Sequence, residues 1–111
     1  MDQATNYHRI VRRIMDEFAN YLPHIEGLEL EKVYDESQGH YELLLVGWEG
    51  HRRTHGIMLH LDIRDGKIWI QHDGTSAGVA DDLLKAGVPK EKIVLAFHPP
   101  YKRPMTGFAV A

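Results

Sequence analysis

The chain contains no cysteine, and it lacks any apolar stretch near the length of a membrane-spanning helix. The first absence argues against disulfides and thiolate metal sites, and it fits a reducing compartment. The second argues against a transmembrane helix, which needs about 20 mostly apolar residues. The first residues, MDQATNYHR, are polar. We therefore expect no secretory signal, no membrane association and a cytoplasmic location.

An excess of basic residues is also missing: 13 Lys and Arg stand against 16 Asp and Glu, so the net charge is −3 with neutral histidines. Nucleic-acid-binding domains usually carry a clear basic excess or patch. We therefore expect contact with nucleic acid to be indirect. The 111 residues are 43% hydrophobic and 26% charged, which is typical of one globular domain spanning residues 1–111.

The hydrophobic periodicity predicts a helix followed by four strands. Apolar residues recur at three- and four-residue steps over residues 6–22, with Thr5 or Asn6 as N-cap. Runs of alternating or apolar residues, separated by turn residues, predict an antiparallel meander. The helical stripe comprises Tyr7, Ile10, Val11, Ile14, Phe18 and Tyr21, and the strands lie near residues 28–33, 40–49, 52–64 and 67–71.

A strand–helix–strand unit, GKIWIQHDGTSAGVADDLLKAGVPKEKIVLAFHPP, follows the meander. Asp73 or Thr75 can cap its helix, and Gly87 can end it in the left-handed conformation. Residues 93–97 form an unbroken apolar run, typical of an interior strand that is parallel to its neighbour. The predicted fold is α+β: an N-terminal helix, a four-stranded antiparallel meander, a crossover helix and a fifth, interior strand.

Four long motifs resemble those of the XisI-like family: HYELLLVGWEGHRR, HLDIRDGKIWIQHDGT, AGVPKEKIVLAFHPP and RPMTGFAVA. They cover nearly all of residues 40–111, ungapped and in the expected order, whereas the first forty residues match only in general character. This family comprises excision controlling factors of the fdxN element, a cyanobacterial nitrogen-fixation DNA element linked to heterocyst differentiation. The resemblance implies a non-enzymatic accessory factor without a cofactor. Such a factor acts with a XisH-like partner, while a separate recombinase excises the DNA element.

The last fourteen residues, HPPYKRPMTGFAVA, combine prolines that argue against a helix with an apolar end. We call residues 98–111 the tail. It follows the carboxyl end of a strand, where open α/β sheets often place binding sites, and Tyr and Arg are preferred interface anchors. We predict partner binding by the tail, and a homodimer is a simple way to cover its apolar end. The predicted partner-binding residues are His98, Tyr101, Lys102, Arg103, Thr106 and Phe108; a plain C-terminal strap is the alternative.

Two other functions remain open on the residues alone. A small metal-dependent nuclease could use Asp62, Asp65 and His60, although a strand end and a turn aspartate explain these residues more simply. Direct DNA binding could use two basic groups, of which the first can also be a solvated helix face. The basic residues are Arg9, Arg12 and Arg13 on the first helix, and Arg52 and Arg53 at the start of the third strand.

The eight histidines do not show the spacing of a metal site. His55 and His60 are five residues apart on one predicted strand, so a regular strand would place them on opposite faces. Neither HExxH nor HxH with a third carboxylate occurs. We therefore expect no metal site.

Overall fold

The computed structural model describes residues 3–75 and 78–111, and it begins with helix α1, Gln3–Tyr21. Thr5 and Asn6 lie inside this helix, so the prediction that either one caps it is wrong. Tyr21 belongs to the predicted stripe but is 84% exposed, because it is the last residue of the helix and lies beyond the core. Met15, which the stripe did not include, is completely buried. Neither described α-helix is long and apolar enough to cross a membrane.

The predicted meander is confirmed. Strands β1 (Leu28–Asp35), β2 (His40–Glu49), β3 (Arg52–Arg64) and β4 (Lys67–Asp73) pair antiparallel in chain order. Short turns join them, and such turns allow only antiparallel neighbours.

Helix α2, Val79–Lys85, has Gly78 at its N-cap position, so neither predicted side chain occupies that position, although both bond to the backbone at the start of the helix. The Asp73 carboxylate accepts a bond from the Val79 N–H at 2.8 Å, and the Thr75 hydroxyl accepts one from the Gly78 N–H at 3.0 Å. Gly87 ends the helix with φ 97°, as predicted.

Strand β5, Ile93–Leu95, runs parallel to β4 but is last in the strand order. The prediction of an interior strand over residues 93–97 is therefore wrong in position and length. Ile93 and Val94 are nevertheless completely buried, since α2 covers this end of the sheet and Ala109 of the tail bridges Val94. The apolar run of residues 93–97 is therefore explained by cover from α2 and the tail, and not by a further strand beside β5.

The two faces of the sheet differ in cover. The inner face packs against α1 and α2. Within the described residues no α-helix covers the outer face, although Arg103 of the tail lies over Trp69 at its β4 end. The inner core from the sheet consists of Tyr41, Leu43, Leu59, Leu61, Ile68, Ile70 and Ile93, and the helices contribute Tyr7, Ile10, Val11, Ile14, Met15, Val79 and Leu83.

A β-bulge at Met58 changes which side chains of β3 share a face. Leu43 pairs with Leu59, but the next residue of β2 pairs with Ile57, so Met58 has no partner on β2. An unpaired residue shifts the alternation by one. His55 and His60 therefore both face outward, and their predicted placement on opposite faces is wrong.

Candidate functional site

Four polar side chains lie together on the outer face, two from each of two neighbouring strands. His40 of β2 pairs with Asp62 of β3, and Glu42 of β2 pairs with His60 of β3. Residues two apart on a strand share a face, and paired residues have Cβ atoms about 5 Å apart. The four side chains therefore occupy the corners of a square, which we call the His–acid cluster.

Each imidazole of the cluster contacts both carboxylates. Nδ1 of His40 and Nε2 of His60 each lie 2.9 Å from the same oxygen of Asp62. The other ring nitrogens lie 3.3 Å (His40) and 3.7 Å (His60) from the carboxylate of Glu42. Donor atoms of His40, His60 and Asp62 all lie within 4.8 Å of one another, which is close enough to hold one metal ion.

Contacts within the cluster shift the pKa values of two members. Burial raises the pKa of Asp62, but hydrogen bonds from His60 and His40 outweigh burial and hold this pKa below its ordinary value. Burial lowers the pKa of His40, but Glu42 and Asp62 outweigh that effect and raise this pKa above its ordinary value. The cluster therefore favours positive charge between its two carboxylates.

The carboxylate of Asp62 is held from its other side as well. Its second oxygen accepts a bond from the Gln71 amide at 3.1 Å and one from the Arg64 guanidinium at 3.3 Å. A pocket of about 390 Å³ opens beside the cluster. It is lined by Asp35, Gln38, His40, Asp62, Ile63 and Arg64.

The tail is folded against the domain. Residues Pro100–Met105 form a 3-10 helix, so the prediction that the prolines exclude a helix is wrong. Pro100 stands at the start of this helix, where its missing N–H costs no bond. The N–H of Ala109 donates to the carbonyl of Ile93 at 2.9 Å, and Phe108 packs on the core.

Arg103 fastens the tail from within. Its guanidinium donates to the backbone carbonyls of His98 (3.1 Å), Val110 (3.3 Å) and Ala96 (3.4 Å), and it lies 5.7 Å from the ring centre of Trp69. Three backbone acceptors satisfy most of a guanidinium's donors. Arg103 therefore serves the tail's own fold, and its predicted role in partner binding stays a prediction.

The other predicted partner-binding residues differ in exposure. Tyr101 is 73% exposed and Lys102 is also exposed. The hydroxyl of Thr106 donates to the carbonyl of Arg103 at 2.8 Å, so it serves the tail's own fold. Phe108 and His98 are half-buried. Tyr101 and Lys102 are thus the members best placed for a partner, and the binding role stays a prediction.

The two arginine groups lie at different ends of the molecule. The start of α1 contacts Tyr41 through His8, near the start of β2, whereas Arg53 pairs with Trp48 at the other end of that strand. Roughly 23 Å of strand separates these points at about 3.3 Å per residue. The separated arginines are Arg9, Arg12 and Arg13 on α1, and Arg52 and Arg53 on β3; all five are exposed.

The nuclease hypothesis groups residues that the structure only partly brings together. His60 and Asp62 belong to the His–acid cluster. Asp65 is exposed in the β3–β4 turn with φ 55°, and no described contact joins it to Asp62. A left-handed turn position explains this aspartate without a catalytic role.

The comparisons with known proteins match the whole fold. The model of the XisI protein family matches residues 1–110. The chain belongs to the XisI family. The match includes the first forty residues, where the sequence motifs indicated only a general likeness. No curated protein sequence matches the chain.

Two crystal structures from Anabaena variabilis ATCC 29413 are similar to this XisI-family chain. One is a XisI-like protein with a TM-score of 0.93 and 35% identity, covering 97% of this chain and 99% of its own. The other is described as the fdxN element excision controlling factor XisI, with a TM-score of 0.87 and 35% identity; the match covers 99% of this chain and all of that one. These structures confirm the α+β fold.

Sequence reasoning missed the His–acid cluster of this XisI-family protein, although the signal was present. His40 and Glu42 are spaced as HxE, and His60 and Asp62 as HxD, on two strands predicted to pair. Residues two apart on a strand share one face. Aligning the two motifs across the hairpin would have found the cluster, provided that the bulge at Met58 was allowed for.

Proposed function

We propose that this protein is an accessory factor that controls excision of a DNA element through contacts with a XisH-like partner. The observation that carries the proposal is the match over essentially the whole chain to a structure described as the fdxN element excision controlling factor XisI. The proposed role is protein binding without catalysis. The absence of a basic excess supports indirect contact with DNA.

The exposed part of the tail is the proposed partner-binding surface. Tyr101, Met105 and Val110 of the tail are 73%, 77% and 51% exposed, and Phe97 just before it is 48% exposed, which is unusual for large apolar side chains in one short segment. The bonds of Arg103 fix the backbone of this segment, so these side chains lose little further entropy on binding. A rigid backbone with exposed aromatic and Met side chains is typical of protein interfaces.

A binding assay with the purified XisH-like protein tests the surface. Tyr101→Ala should weaken binding at least about tenfold, since a central interface tyrosine often contributes more than 1 kcal/mol. Tyr21→Ala is the matched control, because Tyr21 is 84% exposed at the end of α1, outside the tail. Equal affinities of wild type and Tyr101→Ala would rule out Tyr101 as an anchor of this interface.

Arg103→Ala separates a structural tail from a binding tail. It removes the three bonds that fix the tail backbone, so partner affinity should fall even though Arg103 is itself half-buried. Light scattering after size exclusion of the same variants would show whether the tail also forms a homodimer. If Tyr101→Ala abolishes a dimer and leaves partner binding intact, the tail contacts a second copy of this chain.

The role in excision is tested by reconstitution. A recombinase, the XisH-like protein and a DNA substrate carrying the element should give excision only when this chain is added. If the chain is not a nuclease, the Asp62→Asn variant should support excision as well as the wild type does when equal amounts of folded protein are compared. Strand cleavage by this chain alone, lost in Asp62→Asn, would instead favour the nuclease.

A further inference from the structure

The His–acid cluster leaves negative charge and lone pairs facing one another. All four imidazole nitrogens of His40 and His60 lie 2.9 to 3.7 Å from a carboxylate oxygen. A neutral imidazole has only one N–H, so two neutral rings cannot donate in all four contacts. The remaining contacts need a cation between nitrogen and oxygen, which can be a second ring proton or a metal ion. The donor atoms of His40, His60 and Asp62 lie within 4.8 Å of one another, as a single metal ion requires.

The ligand types present suit a late first-row transition-metal ion. Imidazole nitrogen and carboxylate oxygen are the common non-thiolate ligands of zinc, which holds them at about 2.0–2.2 Å in a tetrahedral arrangement. Ligand atoms of such a site lie about 3.3 Å apart. The contacts between Asp62 and the two histidines are 2.9 Å and all three donor atoms lie within 4.8 Å of one another, so side-chain rotations would bring them to this spacing around the ion.

Surrounding groups position the ligands. Gln71 and Arg64 hold the second oxygen of Asp62, which leaves its first oxygen directed at both histidines. Such outer contacts fix ligand orientation in metal sites. The side chains of His60 and Asp62 are 17% and 14% exposed, so the ion would be partly shielded from water while the adjoining pocket gives it access.

We propose that His40, His60 and Asp62 bind one divalent metal ion of the zinc type on the outer face, with Glu42 accepting from the remaining ring N–H groups of the two histidines. Two carboxylates against one nearby guanidinium leave the site with a net negative charge that the ion offsets. Because its ligands come from both β2 and β3, the ion would link these two strands next to the bulge at Met58.

Titration of the full-length, chelator-treated protein with Zn²⁺ by calorimetry tests the proposal. One ion per chain should bind, and the melting temperature should rise with added Zn²⁺. His60→Ala and Asp62→Asn should each weaken binding at least about tenfold. His51→Ala is the matched control, since this exposed histidine lies in the β2–β3 turn outside the cluster and should bind Zn²⁺ as wild type does.

Circular dichroism of each variant without metal distinguishes lost ligands from lost folding. Gln71→Ala gives a milder test, since it removes only an outer contact and should weaken binding by a smaller factor while the protein stays folded. Wild-type protein that binds no Zn²⁺ at a 1:1 ratio would overturn the proposal. Equal binding by wild type and a folded His60→Ala variant would also overturn it.

Discussion

The inner and outer faces of one sheet differ in almost every respect. On the inner face, Leu43, Leu59 and Leu61 are completely buried under two helices. On the outer face, residues of β2 and β3 form a charged cluster, and apolar side chains remain partly open: Ile57 of β3 is 39% exposed and Val33 of β1 is 43% exposed. The covered face supplies the core, whereas the open face is free to carry ligands.

This difference rests on a single extra residue in β3. A regular β2–β3 hairpin, continued from the pairing of Leu44 with Ile57, would place Glu42 opposite Leu59 on one face. A carboxylate would then share a face with a core leucine. The bulge at Met58 removes this conflict, because it pairs Leu59 with Leu43 and brings His60 opposite Glu42.

Truncation on the inner face should have the largest effect on stability. Leu43→Ala removes a completely buried side chain and leaves a cavity under α1, so unfolding free energy should fall by about 2–5 kcal/mol. Urea denaturation measures this value. Leu44→Ala is the matched control: Leu44 is the next residue, points to the outer face and should cost less than about 1 kcal/mol. Similar losses at both positions would mean that the outer face is also covered.

The elements of the fold could be predicted from the sequence because each carries a local signal. The periodicity of α1, the turns of the meander and Gly87 after α2 depend on neighbouring residues only. The position of β5 could not be predicted, because its apolar run gives the same sequence signal whether it is covered by a further strand or by a helix and the tail. The bulge at Met58 depends on the fit of two strands, so the faces of β3 could not be assigned.

The close approach of β2 to the loop before β1 should be the next most sensitive point. Gly47 lies against the backbone of that loop, and a Cβ added to it would overlap the carbonyl oxygen of Gly27. Gly47→Ala must displace backbone, so we expect a loss of about 1–3 kcal/mol in urea denaturation. Gly50→Ala is the control, because no atom lies within 4 Å of its Cβ position. If both variants lose the same unfolding free energy, the effect at Gly47 comes from its backbone conformation and not from the close approach to Gly27.

The end of α2 tests the cover of the inner face from the helix side. Gly87 has φ 97°, and its neighbour Val88 donates to the carbonyl of Leu83 at 3.0 Å and is buried. Gly87→Val should destabilise by about 1–2 kcal/mol, since a β-branched residue resists this conformation. Gly87→Asn should cost less, because asparagine tolerates it. A melting temperature unchanged by valine would contradict the left-handed helix end.

The smallest expected effect lies at the polar rim of the inner face. Asp16 of α1 accepts bonds from the Tyr34 hydroxyl at 2.8 Å and from the Lys32 ammonium at 3.1 Å, which tie the helix to β1. Burial raises the pKa of Asp16, but these two bonds outweigh it and hold the pKa below its ordinary value of 3.8. A lowered folded-state pKa contributes stability that is present above pH 3.8 and is lost as the pH falls through the folded-state value.

Asp16→Asn should therefore destabilise the protein at pH 7 and have a shrinking effect as the pH falls toward 3. The side chain of Asp16 is 41% exposed, so solvent screening keeps the loss below about 1 kcal/mol. Urea denaturation of wild type and variant at both pH values measures it. Glu17→Gln is the control, because Glu17 is 71% exposed and only pairs with Arg13 at 3.7 Å on the same helix. A loss of stability at pH 3 as large as at pH 7 would show that Asp16 acts through packing. The charge of its carboxylate would then not contribute to stability at the rim of the inner face.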